Sequence, residues 1–222
     1  MGKPFFITGT DTDTGKTFVS CSLLQSAKIK GLSTAVLKPV AAGGILSNEG
    51  LQNEDAISLQ ESCTLNLSYK EINPLCLEQA IAPHIAAQKE GVLIQASELA
   101  DHCKKIISKK ADLTLIEGAG GWQVPLNQNE FMGDIVKILD IPVILVVGMK
   151  LGCLNHALLT VKAIKEEGVL LHGWIANQLD PLMPAYDENI DALKQKIEAP
   201  LIASIPWAYD IESGIVPIDS IL

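Results

Sequence analysis

Short apolar runs alternate with segments of helical period from one end of this chain to the other, and that alternation restricts its fold more than any other feature. Strands are expected over Phe5–Thr8, Thr34–Pro39, Leu113–Glu117, Pro142–Val147, Gly173–Asn177 and Leu201–Ile205, with Gly, Pro or Asp at their boundaries. Helices are expected over Lys16–Lys30, Ala96–Lys110, Phe131–Leu139, Asn155–Glu167 and Ala185–Ile197, with Gly31 and Gly168 as stops. Strands and helices in alternation close as right-handed crossovers and build a parallel sheet with helices on both faces. The chain is 48% hydrophobic but only 5% aromatic, so aliphatic side chains must fill such a core. Residues 40–95 fit the rhythm poorly. They hold one modest helix, Asp55–Ser62, and are expected to form an elaborated crossover beside the active site. The whole chain, 1–222, therefore reads as a single domain.

The first apolar run leads into "FFITGTDTDTGKTF" (residues 5–18), a strand, a turn and a helix start in the order a phosphate loop requires. Backbone N–H groups and the positive helix end gather around phosphates in such a loop. Lys16 would reach the outer phosphates and Thr17 would offer its hydroxyl to Mg²⁺. The usual pattern has four residues between its glycines, whereas Gly9 and Gly15 enclose five, with Thr10 where a glycine is expected. Thr10 is acceptable there if the turn needs no positive φ at that residue.

A metal–phosphate site also needs carboxylates. Glu117 closes "LTLIEG" and precedes a glycine-rich turn, at the strand end where doubly wound sheets bind ligands. Asp55 begins a helix and reads equally as an N-terminal helix charge or as a metal ligand. Lys38 ends the second strand in "TAVLKPVAAGG" and, with Lys16, faces the same edge of the sheet. Two lysines at one site fit a reaction that binds more than one anion or builds up negative charge.

Composition excludes other classes. A net charge of −9 would repel a phosphate backbone, which argues against nucleic acid. Five cysteines without CxxC or zinc spacing read as reduced thiols of a cytoplasmic protein. No apolar run approaches the ~20 residues that span a bilayer, and no signal segment is apparent at the start.

With "TGTDTDTGKT", "LKPVAAGG", "NPLCL", "APHIAA", "IEGAGGW", "PVILVVGMKLGCLNHALLT", "GWIAN" and "IPW" in this order, the chain resembles the ATP-dependent dethiobiotin synthetases nearly end to end. The longer glycine spacing is a trait of that family. The resemblance implies an α/β, three-layer P-loop NTPase-like fold with a mostly parallel central sheet flanked by helices. It implies a ligase that carboxylates 7,8-diaminononanoate with CO₂ and phosphorylates the carbamate with ATP. Ring closure through a carbamic–phosphoric anhydride would then give dethiobiotin, for biotin biosynthesis.

By position, the resemblance assigns ATP contacts to Asp13, Thr14, Gly15, Lys16, Thr17 and Phe18. Asp55, Glu117, Gly118, Ala119 and Gly120 follow, then Asn177 at the adenine and Pro206, Trp207 and Ala208 along the base. Thr17, Asp55 and Glu117 correspond to the Mg²⁺-associated groups, and Lys38 to the catalytic lysine, with Lys16 also catalytic. Thr12, Lys38 and Ala42 lie beside the diamine. Gly152, Cys153 and Asn155 in "KLGCLN" open a helix whose N-terminus suits the substrate carboxylate. In the family that helix belongs to the neighbouring subunit, which implies a homodimer with sites at its interface. Where the family often carries a hydroxyl, this chain has Ala42, which leaves one substrate hydrogen bond to water or a backbone group. Glu212 would contact the nucleotide. His84 and His156 read as structural side chains, and Trp122 as a core edge.

Two other classes share the loop. A septum-positioning or plasmid-partition ATPase would have a lysine five residues before Lys16, where Asp11 stands, and often ends in a basic membrane helix, unlike "PIDSIL". A cobyrinic-acid amide synthetase would need a glutaminase domain for which 222 residues leave no room.

Overall fold

The computed structural model describes residues 2–207, 211 and 216–222. Strand β1 (Lys3–Gly9) feeds helix α1 (Lys16–Ile29), which returns to β2 (Thr34–Leu37). Residues 40–95 then form β3 (Val40–Ala42), the β4 (Ile45–Ser47) and β5 (Gly50–Gln52) hairpin, α2 (Glu54–Ser62), α3 (Tyr69–Ile72), β6 (Leu75–Leu77) and α4 (Pro83–Glu90). The regular alternation resumes with α5 (Ala96–Ile107), β7 (Leu113–Gly121), α6 (Met132–Leu139), β8 (Val143–Met149), α7 (Cys153–Glu166), β9 (Leu171–Gln178), α8 (Tyr186–Lys196) and β10 (Leu201–Ile205).

The main sheet has six strands in the order β10-β9-β8-β1-β7-β2, and every neighbouring pair is parallel. Both of its faces are covered, as its aliphatic strands require. Along β8, Ile144 and Val146 enter the larger core cluster, while Leu145 and Val147 enter a second one built with α7 and α8. Each expected strand and helix is present in its place. What the alternation did not indicate is the organisation of residues 40–95, where β3 pairs in parallel with β6 as a separate two-stranded sheet. Those strands are three residues each, too short for a period-2 pattern to stand out.

The strand order reverses around β1. The chain moves from β1 to the β2 edge, inserts β7 between them, and then crosses to the other side of β1 with β8. A crevice forms at the carboxyl ends of strands where the winding changes direction, the usual ligand position in an open α/β sheet.

Candidate active site

The loop between β1 and α1 occupies that crevice. Positive φ falls on Asp13 (56°) and Gly15 (82°), and Thr10 is not among the positive-φ residues, so a threonine is tolerated where the usual pattern has glycine. Gly15 is the N-cap of α1, and no side chain caps that helix or places an acid in its first turn. An uncapped helix start with the dipole's positive end toward solvent is a ready anion site. Lys16 folds back across the loop, where its Nζ donates to the Asp11 carbonyl at 3.2 Å. Burial lowers the Lys16 pKa to about 8, against the opposing pull of Glu117.

The register of the sheet brings the second lysine to the acid. Leu37 lies opposite Ile116 across the β2–β7 pair, so the next residues, Lys38 and Glu117, come side by side. Lys38 Nζ donates to Glu117 Oε1 at 2.8 Å and lies 3.1 Å from Asp55 Oδ2. Glu117, fully buried, also accepts from Thr17 Oγ1 at 2.8 Å on the same oxygen and from Ser20 Oγ at 2.8 Å on the other. Burial works against the Lys38 charge, but Glu117 and Asp55 outweigh it and raise the pKa, so the ammonium persists in the interior. Burial likewise opposes the Asp55 charge, and Lys38 with Thr17 holds its carboxyl below the ordinary range. Asp55 belongs to the first turn of α2, whose N-cap Asn53 accepts from the Ala56 N–H at 3.3 Å.

Above these groups opens a cavity of about 720 Å³. Thr12, Asp13, Gly15, Lys16, Thr17, Lys38, Ala42, Asp55, Ala119 and Gly120, all singled out in the sequence, line it. The rest of its lining includes the apolar residues Ala41, Ala80, Ile81, Pro83 and Val124, none of them given a role in the sequence. Ser20, too, was missed. It sits three residues after Thr17 on the same face of α1, a spacing that marks it once Thr17 is known.

Other expected residues lie around the cavity. Thr14 is buried in the loop, and its carbonyl accepts from Asn177 Nδ2 at 2.9 Å. Asn177 therefore tethers the loop to β9. Glu117 lies beneath the cavity floor, while Phe18 and Gly118 do not line it. Trp207 is half exposed, with its N–H donating to Gln178 Oε1 at 3.1 Å beside Pro206. Gly152, Cys153 and Asn155 are at the amino end of α7, outside the cavity. Ala208 and Glu212 lie outside the described residues.

A family model described as an AAA domain matches residues 3–213. The ATP-dependent dethiobiotin synthetase BioD of Cellvibrio japonicus is 53% identical over 204 residues, covering 92% of this chain and 89% of that one. The enzyme of the same name from Alteromonas mediterranea is 44% identical over 222 residues, covering 96% and 95%. Among solved structures, the septum site-determining protein MinD complexed with Mg-ADP from Pyrococcus horikoshii superposes with a TM-score of 0.54 at 17% identity, over 99% of this chain and 89% of that one. The cell division protein FtsY of Thermotoga maritima gives 0.53 at 16%, over 100% and 69%. The solved structures establish the P-loop NTPase fold, and the sequence relatives decide the family. The chain belongs to the ATP-dependent dethiobiotin synthetases.

Proposed function

We propose that this chain is the ligase that closes the cyclic urea of dethiobiotin from 7,8-diaminononanoate and CO₂, using ATP. One amine of the diamine adds to CO₂ to give a carbamate. A carbamate oxygen attacks the γ-phosphorus of ATP and ADP leaves. The second amine then attacks the carbamoyl carbon of the mixed anhydride, expelling phosphate and closing the ring.

The observation that carries this reading is one cavity whose lining joins two buried lysines to a set of apolar side chains. Buried lysines 16 and 38 line it together with alanines, Ile81 and Val124. The two lysines suit a γ-phosphate and a carbamate, whose mutual repulsion two ammonium groups offset. The apolar lining residues suit an unbranched alkyl chain. In this reading Lys16 holds the phosphates and Lys38 holds the carbamate oxygen against the phosphorus. Ala42 leaves its stretch of wall without a hydroxyl, so the amine there is bound by backbone or water.

Thr17, Asp55 and Glu117 fit Mg²⁺: one hydroxyl and two carboxylates, all hard oxygen donors, meet at Lys38 Nζ or beside it. When bound, the ion would neutralise phosphate charge as the anhydride forms and breaks.

We also read the enzyme as one domain that works as a homodimer with composite sites. The amino end of α7 is outside this chain's own cavity, and Leu151 just before it is 95% exposed. A cytoplasmic location accords with five free cysteines. Among the described residues no helix is long and apolar enough to cross a membrane.

The test is phosphate release from purified protein with MgATP and bicarbonate, with and without 7,8-diaminononanoate, with mass spectrometry of the product. Diamine-dependent release accompanied by dethiobiotin is expected. Steady ATP hydrolysis indifferent to the diamine would overturn the proposal.

A further inference from the structure

Lys38 and Asp55 stand on different segments, and neither segment belongs to the continuous part of the main sheet. Lys38 is the residue after β2, and Asp55 is in the first turn of α2. Their 3.1 Å contact therefore depends on whatever fixes those two backbones. The backbone of Lys38 is held on both sides by the end of α3. Its N–H donates to the Ile72 carbonyl at 2.9 Å, and its carbonyl accepts from Asn73 Nδ2 at 2.6 Å. The second proton of that amide goes to the Leu75 carbonyl at 3.1 Å.

The other end of the Asn73 amide is fixed as well. Asn73 Oδ1 accepts from the Tyr69 hydroxyl at 2.8 Å. That hydroxyl in turn accepts the Asn53 backbone N–H at 2.7 Å. Asn53 is the N-cap of α2, two residues before Asp55, and its own Nδ2 reaches the Ala42 carbonyl at 3.3 Å. The direction of each bond is unambiguous. The Lys38 and Leu75 carbonyls can only accept, so the Asn73 atom facing them is Nδ2; Oδ1 therefore faces Tyr69, whose hydroxyl donates to it while accepting the Asn53 N–H. Asn73 and Asn53 are 2% and 8% exposed, and both have their polar atoms satisfied within this chain of bonds.

We propose that Asn73, Tyr69 and Asn53 form a positioning network that sets the backbones of Lys38, Ala42 and Asp55 relative to one another, and so aims the Lys38 ammonium for turnover. The effect on turnover rests on Lys38 being the lysine of the proposed reaction. The geometric part does not. The network acts through backbone carbonyls and a helix cap and does not line the cavity, so these are positioning residues, not catalytic ones. A buried amide that loses one anchor lets the segments it joins drift, and a misplacement of 1 Å can lower a rate by about 100-fold. The phosphate loop is built on β1 and α1 and tethered by Asn177, so nucleotide affinity measured without Mg²⁺, and hence without a contact through Asp55, should not follow.

The experiment compares Asn73→Ala and Tyr69→Phe with the unmodified chain. Tyr69→Phe keeps the ring and removes only the hydroxyl, so it remains informative if Asn73→Ala fails to fold. The first readout is the acetylation rate of Lys38 against that of Lys16, followed by mass spectrometry. In the variants Lys38 should label about fivefold faster or more, as local opening predicts, with Lys16 unchanged. The second readout is turnover. The kcat should fall about 10- to 100-fold with Kd for an ATP analogue, measured without Mg²⁺, within about twofold. Adding Asn73→Ala to Lys38→Ala should cost no further turnover, because coupled residues are not additive. Unchanged Lys38 labelling, equal labelling of both lysines, or full additivity would overturn the network. Selective Lys38 labelling in the variants of a protein that forms no dethiobiotin would uphold the network and overturn the reaction instead.

Discussion

Lys16 and Lys38 carry the same charge into the same crevice but keep different company. Lys16 rests on a carbonyl, and burial lowers its pKa to about 8, so it lacks a full partner until an anion arrives. Lys38 already has Glu117 and Asp55. Removing them should therefore fail differently. Lys16→Ala should abolish turnover and weaken nucleotide binding together. Lys38→Ala should lower kcat by about 100- to 1,000-fold, the range for loss of one electrostatic stabiliser, while nucleotide affinity stays within about threefold. Steady-state kinetics with equilibrium binding of an ATP analogue separates the two. A Lys38→Ala chain that lost affinity and kept kcat would make Lys38 a binding residue. Both lysines were legible from local pattern, one from GKT and one from a strand end. Ser20 was not, because a serine inside a helix carries no signal until its partner Glu117 is located 97 positions away.

At the scale of elements, the phosphate loop keeps its form through a neighbour that the local sequence does not name. A Cβ added at Gly15 would lie 2.1 Å from Asn177 Nδ2, and φ there is +82°. Both the conformation and the close approach call for glycine. Resemblance alone gives Asn177 an adenine contact; the structure shows its amide donating to the Thr14 carbonyl. Asn177→Ala should loosen the loop from β9 and weaken nucleotide binding by about 1 kcal/mol, roughly fivefold, with kcat at saturating ATP little changed. Titration of ATP against variant and parent by calorimetry checks this, and an unchanged Kd would show the tether to be dispensable.

At the scale of the whole molecule, a composite site makes a prediction no single chain can satisfy. Lys38→Ala and Asn155→Ala chains should each be nearly inactive. If α7 of one subunit completes the cavity of the other, a mixture that exchanges subunits should recover about a quarter of the parental activity, from the one intact site of each heterodimer. Recovery absent despite demonstrated exchange would confine the site to one chain.

The order and type of the main elements, and the phosphate loop, were readable along the chain because helical period, strand runs and Gly–Pro boundaries are local properties. The pairing of Lys38 with Glu117 was not. It depends on β7 lying between β1 and β2 and on Leu37 standing opposite Ile116, contacts between residues 79 positions apart. Nor did the chain reveal how residues 40–95 fold, or that Asn53, Tyr69 and Asn73 link the backbones of Lys38 and Asp55. Strands of three residues and single buried amides have no periodicity to read, and their partners are set by packing across the molecule.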